Sequence, residues 1–195
     1  YIIEQEKPGD FDQILSKVKS INDHPKRRII LLTAHRRENF GRPLESICKS
    51  LLEILKKNEN VVVIYPVHMN PKVRETVFQL LQNHERILLI EPVEYGTIAH
   101  LIKASYIVLT DSGGIQEEAP SLGKPVLVLR QETERPEGID AGTAKLVGTD
   151  YKKIIVETEK LLNNDDEYEK MAKAVSPYGD GMAADRILEI LKTQL

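Results

Sequence analysis

The chain has 195 residues, 41% of them hydrophobic, and its 27 basic and 30 acidic side chains give a formal net charge of −3. This is the size of one ordinary globular domain. The charges are spread along the chain, so composition gives no electrostatic case for a nucleic-acid or anionic-membrane partner. Cys48 is the only cysteine, which excludes an intrachain disulfide framework and favours a reducing compartment, so the expected location is the cytoplasm.

Apolar runs are too short for a membrane segment, because none approaches the roughly 20 residues that a spanning helix needs. The first residues also lack the basic start and apolar core of a signal peptide. The chain begins at Tyr1 without an initiator methionine. It is therefore expected to be a piece of a longer protein, with some partner residues supplied from outside it.

In chain order, the first predicted element is a helix over residues 10–19, which is expected to break at Asp23-His24-Pro25. Continuous apolar runs rich in β-branched residues follow, and such runs are typical of strands covered on both faces. They predict five strands at residues 28–32, 61–65, 87–90, 106–109 and 126–129, and a sixth is expected at 144–147.

Helical patterns lie between and after these runs. Residues 44–55 and 73–81 carry apolar side chains at helical spacing, and three further helices are predicted at 151–162, 167–175 and 185–195. The alternation predicts an α/β fold, an open and doubly wound parallel sheet flanked by helices. The ligand crevice of such a sheet lies at the carboxyl ends of its strands.

The turn after the fourth strand, residues 110–114, suits a phosphate group. Gly113 and Gly114 let the backbone approach a ligand closely, and the helix that they open directs free N–H groups and a positive dipole end at it. Ser112 adds a hydroxyl donor, and Glu118, one helical turn on, can accept from two vicinal ribose hydroxyls. Together these residues predict a nucleoside diphosphate site. The alternative is a tight turn with Ser112 as a helix cap.

Basic side chains follow the first and second strands at the same edge. His35 can donate to a phosphate or transfer a proton; the alternative is a hydrogen-bonded loop histidine. Arg36 and Arg37 either join the site or are solvated. His68 follows the second strand, just before Asn70 as a predicted helix cap. It is a second candidate, or else a helix-entry histidine without a ligand.

Residues 130–137 are polar and charged where a buried crossover would be apolar, so they predict a crevice loop. Within it, Arg135 either reaches a phosphate or sugar or pairs with Glu132 or Glu137. No group of His, Cys, Asp or Glu has zinc-site spacing, and Asp-rich calcium loops are absent from the sequence, so no metal is expected. Cys48 lies on an apolar helix face and is predicted to be a small buried hydrophobe.

Six segments together resemble the non-hydrolysing UDP-N-acetylglucosamine 2-epimerases of bacteria and archaea, and the match extends from residue 28 to the C-terminus. The segments are residues 34–39, 66–70, 91–95, 110–125, 134–137 and 177–181. The resemblance implies the C-terminal, UDP-holding half of a glycosyltransferase-B fold, in which two Rossmann-like domains face each other over a cleft. Residues 1–27 would be a connecting segment with one helix, and residues 28–195 the UDP-binding domain.

The resemblance also implies an activity and roles. Members of the family interconvert UDP-GlcNAc and UDP-ManNAc by removing the C2 proton, eliminating UDP to a 2-acetamidoglucal and re-adding UDP after reprotonation on the opposite face, and no cofactor is implied. Ser112, Gly113 and Gly114 match the diphosphate-binding turn, and Glu118 matches the ribose-binding carboxylate. His35 matches the catalytic histidine that contacts the diphosphate and supports its departure.

Other positions are implied less directly. Arg135 is counted with the UDP-binding residues. Arg36 and His68 match positions that hold a second UDP-GlcNAc, an allosteric activator, in regulated bacterial members, and Ile98 stands where some members place an aromatic side chain near the uracil. The acid/base carboxylates of the family belong to an N-terminal domain. We therefore expect half an active site, completed by a missing N-terminal domain, and a homodimer as a family implication.

Three alternatives remain at this point. A UDP-sugar-dependent glycosyltransferase shares the fold and the ribose glutamate, although the segment at residues 35–39 argues against it. A hydrolysing epimerase that releases free ManNAc is less well matched around Ser112. A standalone UDP-sugar-binding or regulatory module would explain the missing carboxylates without a further domain.

Overall fold

The computed structural model describes residues 7–21 and 23–194. Six parallel strands form one sheet in the order β3-β2-β1-β4-β5-β6. The strands are β1 (Arg28–Thr33), β2 (Val61–Pro66), β3 (Ile87–Ile90), β4 (Ile107–Thr110), β5 (Val126–Val128) and β6 (Ala144–Leu146). All six predicted strands are confirmed, with bounds that differ by at most one residue, and the predicted Rossmann-like parallel sheet is therefore confirmed too.

Helices cover both faces of this sheet. They are α1 (Gly9–Ile21), α2 (Arg42–Lys57), α3 (Pro71–Leu81), α4 (Tyr95–Ala104), α5 (Gly113–Ser121), α6 (Pro136–Asp140), α7 (Tyr151–Asn163), α8 (Asp165–Ala172) and α9 (Ala183–Gln194). The sequence did not predict α4 or α6. α8 begins two residues before its predicted start because the Asn164 side chain accepts from the N–H of Glu167 and caps the helix there. Leu195 and the first six residues of the predicted connecting segment lie outside the described residues.

The core consists of two apolar layers, one on each face of the sheet. In β1, Ile30 and Leu32 pack with α2, α3 and α7, whereas Leu31 packs with α1, α4 and α5, because successive strand residues point to opposite faces. α1 is thus packed on the sheet, and the division of the chain at residue 27 stays a prediction. Cys48 of α2 is fully buried in the first layer, as predicted, and burial raises the pKa of its thiol to about 12.

The strand order reverses between β1 and β4, which are neighbours although two strands separate them in the chain. Thr33 at the end of β1 pairs with Thr110 at the end of β4, and their hydroxyl oxygens lie 2.6 Å apart. In doubly wound sheets the ligand crevice opens at such a reversal, beyond the carboxyl ends of the strands. The fold therefore brings the loops after β1 and β4 together at the predicted crevice.

Among the helices within residues 7–21 and 23–194, none has the length and apolar character that crossing a membrane requires.

Candidate functional site

The carboxylate of Asp111, the first residue after β4, organises the crevice. Asp111 is fully buried, and its Oδ2 accepts the backbone N–H groups of His35 and Arg36, each at 2.8 Å. The side-chain amide of Asn39 donates to the same oxygen and to the carbonyl of Leu129, both at 3.0 Å. One buried carboxylate therefore holds the loop after β1 against the turn after β4, and Asn39 extends the network to the end of β5.

The imidazole of His35 lies between a carboxylate and a second imidazole. Its Nδ1 is 3.6 Å from Oδ1 of Asp111, and its ring stacks on that of His68 with centroids 5.3 Å apart and planes inclined by 10°. Burial lowers the pKa of His35 from its usual value. Asp111 opposes this shift, whereas His68 and Arg36 add to it. The lowered pKa favours the neutral form of the His35 ring.

The turn before α5 presents backbone N–H groups that make no hydrogen bond within the described part of the chain. The first hydrogen bond within α5 runs from the N–H of Gln116 to the carbonyl of Ser112 at 3.2 Å, so the N–H groups of Gly113, Gly114 and Ile115 precede the helical ladder. Ser112 occupies the N-cap position, yet its side chain makes no capping hydrogen bond within the described part of the chain. This disfavours the alternative in which Ser112 serves only as a cap.

The two glycines of this turn lie between two charged side chains. A Cβ on Gly113 would come within 3.9 Å of Nη2 of Arg36, and a Cβ on Gly114 within 3.6 Å of Oε1 of Glu118. Both are ordinary van der Waals distances, so no clash inside the chain demands glycine here. Instead, the contacts show that the guanidinium and the carboxylate flank the turn, a cation near the free N–H groups and an acceptor one helical turn beyond them.

The side chain of Glu118 is half-buried. Burial raises the pKa of its carboxyl group, which a hydrogen bond with the Tyr95 hydroxyl partly offsets, and Glu117 raises it further. Tyr95 is the first residue of α4 and is exposed. Ile98, on the same helix, packs against the apolar layer beneath. The residue beside the predicted ribose carboxylate is therefore a tyrosine that sequence reasoning did not single out.

The loop after β5 is fastened to α5 and bears Arg135. Thr133 donates its hydroxyl at 2.6 Å to a buried glutamine of α5, and it accepts the N–H of Arg135 at 3.1 Å. The guanidinium of Arg135 forms an ion pair with Glu117. The alternative in which Arg135 pairs with Glu132 or Glu137 is wrong, because the Thr133 anchor turns this part of the loop towards Glu117 of α5.

The structure thus brings most of the predicted site residues to one edge of the sheet. Around the end of β1 and the first turns of α5 lie His35, Arg36, His68, Ser112, Gly113, Gly114 and Glu118. Arg135 pairs with Glu117 of the same helix. Asp111, Asn39 and Tyr95 were missed. For Asp111 a signal existed: an acid directly after an apolar central strand is buried, and a buried carboxylate needs partners.

Among residues 7–21 and 23–194, no group of three or more His, Cys, Asp or Glu side chains is arranged to hold a metal ion.

The sheet order and the polar site at its reversal point define a Rossmann-like α/β domain. A solved C-terminal domain of a group 1 glycosyltransferase from Francisella tularensis shares this fold, with a TM-score of 0.61 over 82% of this chain and 87% of that one, at 17% sequence identity. The predicted likeness to the C-terminal half of a glycosyltransferase-B fold is therefore confirmed at the level of the fold.

The family model described as UDP-N-acetylglucosamine 2-epimerase matches residues 7–192, and the chain belongs to this family. It is 52% identical over 168 residues to the UDP-N-acetylglucosamine 2-epimerase of Escherichia coli K12, covering 86% of this chain and 45% of that protein. The crystal structure of UDP-GlcNAc 2-epimerase from Neisseria meningitidis bound to UDP-GlcNAc superposes with a TM-score of 0.82 at 45% identity, covering 93% of this chain and 49% of that one. The chain therefore spans about half the length of these relatives.

Proposed function

We propose that this chain is the UDP-binding half of an enzyme that interconverts UDP-GlcNAc and UDP-ManNAc by eliminating and re-adding UDP. The supporting observation is the open turn at Ser112, Gly113 and Gly114, which has His35 and Arg36 beside it at the sheet reversal. The Neisseria meningitidis relative bound to UDP-GlcNAc supports the choice of ligand.

In this proposal the diphosphate lies at the N-terminus of α5. Backbone N–H groups and a helix dipole favour an anion there, and the guanidinium of Arg36 adds a positive charge beside Gly113. Glu118 accepts hydrogen bonds from the two ribose hydroxyls, and Arg135 is a further contact for the nucleotide. The polar groups needed for a nucleoside diphosphate are then supplied by the loops that follow β1, β4 and β5.

His35 is the catalytic residue of this half. As the bond between C1 of the sugar and the diphosphate oxygen breaks, negative charge builds up on the β-phosphate. A donor next to that phosphate stabilises the transition state more than the ground state. The C2 proton is removed and replaced by carboxylates that we assign to a separate N-terminal domain facing this one across the cleft. That assignment agrees with a chain that spans 45% of its Escherichia coli relative.

Arg36 and His68 are proposed to take part in activation by a second UDP-GlcNAc molecule. The stacked rings of His68 and His35 offer a physical connection, because a ligand that moves or charges one ring acts directly on the other.

For the complete protein we infer a homodimer in the cytoplasm. Size-exclusion chromatography with light scattering and cell fractionation test these two points.

Titration calorimetry with UDP tests the nucleotide site of this chain directly. We expect UDP to bind and Gly114→Val to weaken its binding strongly, because a branched side chain would crowd the Glu118 carboxylate, which lies 3.6 Å from a Cβ built on Gly114. Gly142→Asn is the matched control, since Gly142 lies outside the crevice and its positive φ of 76° tolerates asparagine better than most residues. Failure of UDP to bind, or epimerisation of UDP-GlcNAc by the pure chain alone, would contradict the proposal.

A further inference from the structure

The histidines of the described chain differ in what their Nδ1 atoms contact. In His24, His68 and His84, Nδ1 accepts the backbone N–H of the residue two positions later, at 3.1, 3.0 and 3.2 Å. A ring nitrogen that accepts a hydrogen bond carries no proton, so the neutral forms of these rings are protonated on Nε2. Nδ1 of His35 instead faces a carboxylate oxygen, Oδ1 of Asp111, at 3.6 Å.

The two oxygens of Asp111 are used unequally. Oδ2 accepts three hydrogen bonds, whereas Oδ1 is buried and has no hydrogen-bond partner among residues 7–21 and 23–194. A buried acceptor left unpaired is costly, and native structures rarely keep one without a reason. A proton on Nδ1 of His35 would point a donor at Oδ1, and a small movement of the ring would bring the two atoms to hydrogen-bond distance.

We infer that Asp111 is a positioning residue for His35, one that keeps Nδ1 protonated, leaves Nε2 as the nitrogen presented to the diphosphate, and supports a positive ring when the diphosphate binds. This inference rests on the proposed UDP site. It assigns Asp111 a role beyond tethering backbone N–H groups, because only the charge and acceptor character of Oδ1 select the proton position on the ring.

A proton balance follows from this arrangement. In the neutral ring Nε2 carries a lone pair, which cannot donate to a phosphate oxygen, so diphosphate binding takes up one proton from solvent onto Nε2. The imidazolium then lies between two anions, Asp111 and the β-phosphate. The other charged or titratable groups that face the ring are His68, from the loop after β2, and Arg36, from the same loop as His35, and both oppose its positive charge.

The sign of the pH effect follows from these charges. A bound anion raises the pKa of His35 above its value in the free chain. His35 therefore contributes fully to UDP affinity at a pH below its pKa in the free chain. This contribution is lost as the pH rises through the pKa of His35 in the UDP complex. Between these two pKa values one proton is taken up on binding, and the affinity falls by about tenfold per pH unit.

Imidazole 15N chemical shifts, measured on the free chain above pH 7, test the proton position. We expect His35 to carry its proton on Nδ1 and the three internal controls, His24, His68 and His84, to carry theirs on Nε2. In Asp111→Asn the carbonyl oxygen can still accept the backbone N–H groups, while the amide group faces Nδ1 of His35 as a donor. The neutral ring of His35 should then switch to the Nε2–H form.

Either of two results would overturn the inference: an Nε2–H form of His35 in the unaltered chain, or a proton position that Asp111→Asn leaves unchanged. A purely structural Asp111 predicts the second result. If Asp111→Asn fails to fold, the spectra of the unaltered chain, with its three internal controls, still show which nitrogen of His35 carries the proton.

The pH dependence of UDP affinity gives a second, independent measurement. His35→Ala reports the pH dependence that belongs to UDP itself. The unaltered chain should show an additional decline towards high pH, and Asp111→Asn should follow the His35→Ala profile. Identical profiles for the unaltered chain and His35→Ala, with UDP still bound, would overturn this inference and leave the proposed function standing. Absence of UDP binding would instead contradict the proposed function, and the 15N measurement would still test Asp111.

Discussion

Nε of Arg130 donates to Oε1 of Glu38 at 2.8 Å, which joins the loop after β5 to the loop after β1. The Arg130 side chain is only 10% exposed, whereas that of Glu38 is 49% exposed. Nη1 of Arg130 is buried and has no hydrogen-bond partner among the described residues. Glu38 is therefore a principal counter-charge for a nearly buried cation at the rim of the crevice, and the two loops are coupled through it.

Glu38→Gln should destabilise the fold because it leaves that buried guanidinium without its closest charged partner. Glu38 is half exposed, so water compensates in part, and we expect the free energy of unfolding to fall by about 1 to 2 kcal/mol. Glu45→Gln is the control, since Glu45 pairs with the exposed Lys49 at 3.2 Å and should lose less than about 0.5 kcal/mol. Urea unfolding measures both, and equal losses would contradict the coupling.

Glu118→Gln should weaken UDP binding to this chain. A neutral amide cannot accept from two ribose hydroxyls as a carboxylate does, and hydrogen bonds to charged groups are worth about 1.5 to 3 kcal/mol, or roughly 10- to 150-fold in Kd. Glu132→Gln is the control for charge alone, since Glu132 is an exposed acid of the crevice loop. Calorimetry that gives both variants the same UDP affinity as the unaltered chain would reject Glu118 as the ribose ligand.

The same variant should make the free chain more stable at neutral pH. Burial raises the pKa of Glu118, so the folded state holds this proton more tightly than the unfolded state, and stability falls as pH rises from the unfolded value, near 4.3, through the raised one. Glutamine avoids the penalty of ionising a half-buried group. The Tm of Glu118→Gln should exceed that of the unaltered chain at pH 7, and the difference should shrink towards pH 4. A lower Tm at pH 7 would contradict this account.

Thr133→Val should loosen the loop that bears Arg135. The hydroxyl of Thr133 donates to Oε1 of Gln116, whose side chain is almost fully buried, and an unpaired buried acceptor costs about 1 to 3 kcal/mol. Thr76→Val is the matched control, because the hydroxyl of Thr76 donates to the carbonyl of Lys72 on its own exposed helix turn. Chemical denaturation should separate the two variants, and a neutral effect of Thr133→Val would show that the loop does not depend on this anchor.

Kinetics of the full-length protein should separate the two stacked histidines. His35→Ala removes the donor next to the leaving phosphate, so kcat should fall by about 10²- to 10⁴-fold, with a smaller change in KM. His68→Ala should abolish activation by added UDP-GlcNAc, measured as the rate in the UDP-ManNAc direction with and without a trace of UDP-GlcNAc. Full activation of His68→Ala would return His68 to the role of a helix-entry residue.

The sheet was predictable because its first five strands come from continuous apolar runs, and such runs are buried on both faces. α4 was not predicted, since its entry lacks a recognisable cap: Glu94 makes no capping hydrogen bond with its side chain. The residues of the turn at Ser112 are consecutive, so local sequence was sufficient to predict the turn and the helix that it opens.

Local sequence could suggest that Asp111 is buried, but it could not identify the hydrogen-bond donors of its carboxylate. Its hydrogen-bond donors His35, Arg36 and Asn39 lie 76, 75 and 72 residues earlier in the chain. Only the sheet order brings them together, because it makes β1 and β4 neighbours. Arg135 illustrates the same limit at shorter range, since its partner Glu117 is 18 residues earlier and the acids within its own loop were the obvious alternatives.

The buried thiol of Cys48 has a practical consequence for studying this crevice. Thiolates, not thiols, react with alkylating reagents, and with a pKa of about 12 the Cys48 thiol stays protonated at pH 8. A cysteine introduced at an exposed crevice position such as Glu132 would therefore accept a fluorophore selectively, with Cys48 left in place. Slow alkylation of Cys48 itself would then measure the rate of local opening that exposes this face of α2 to solvent.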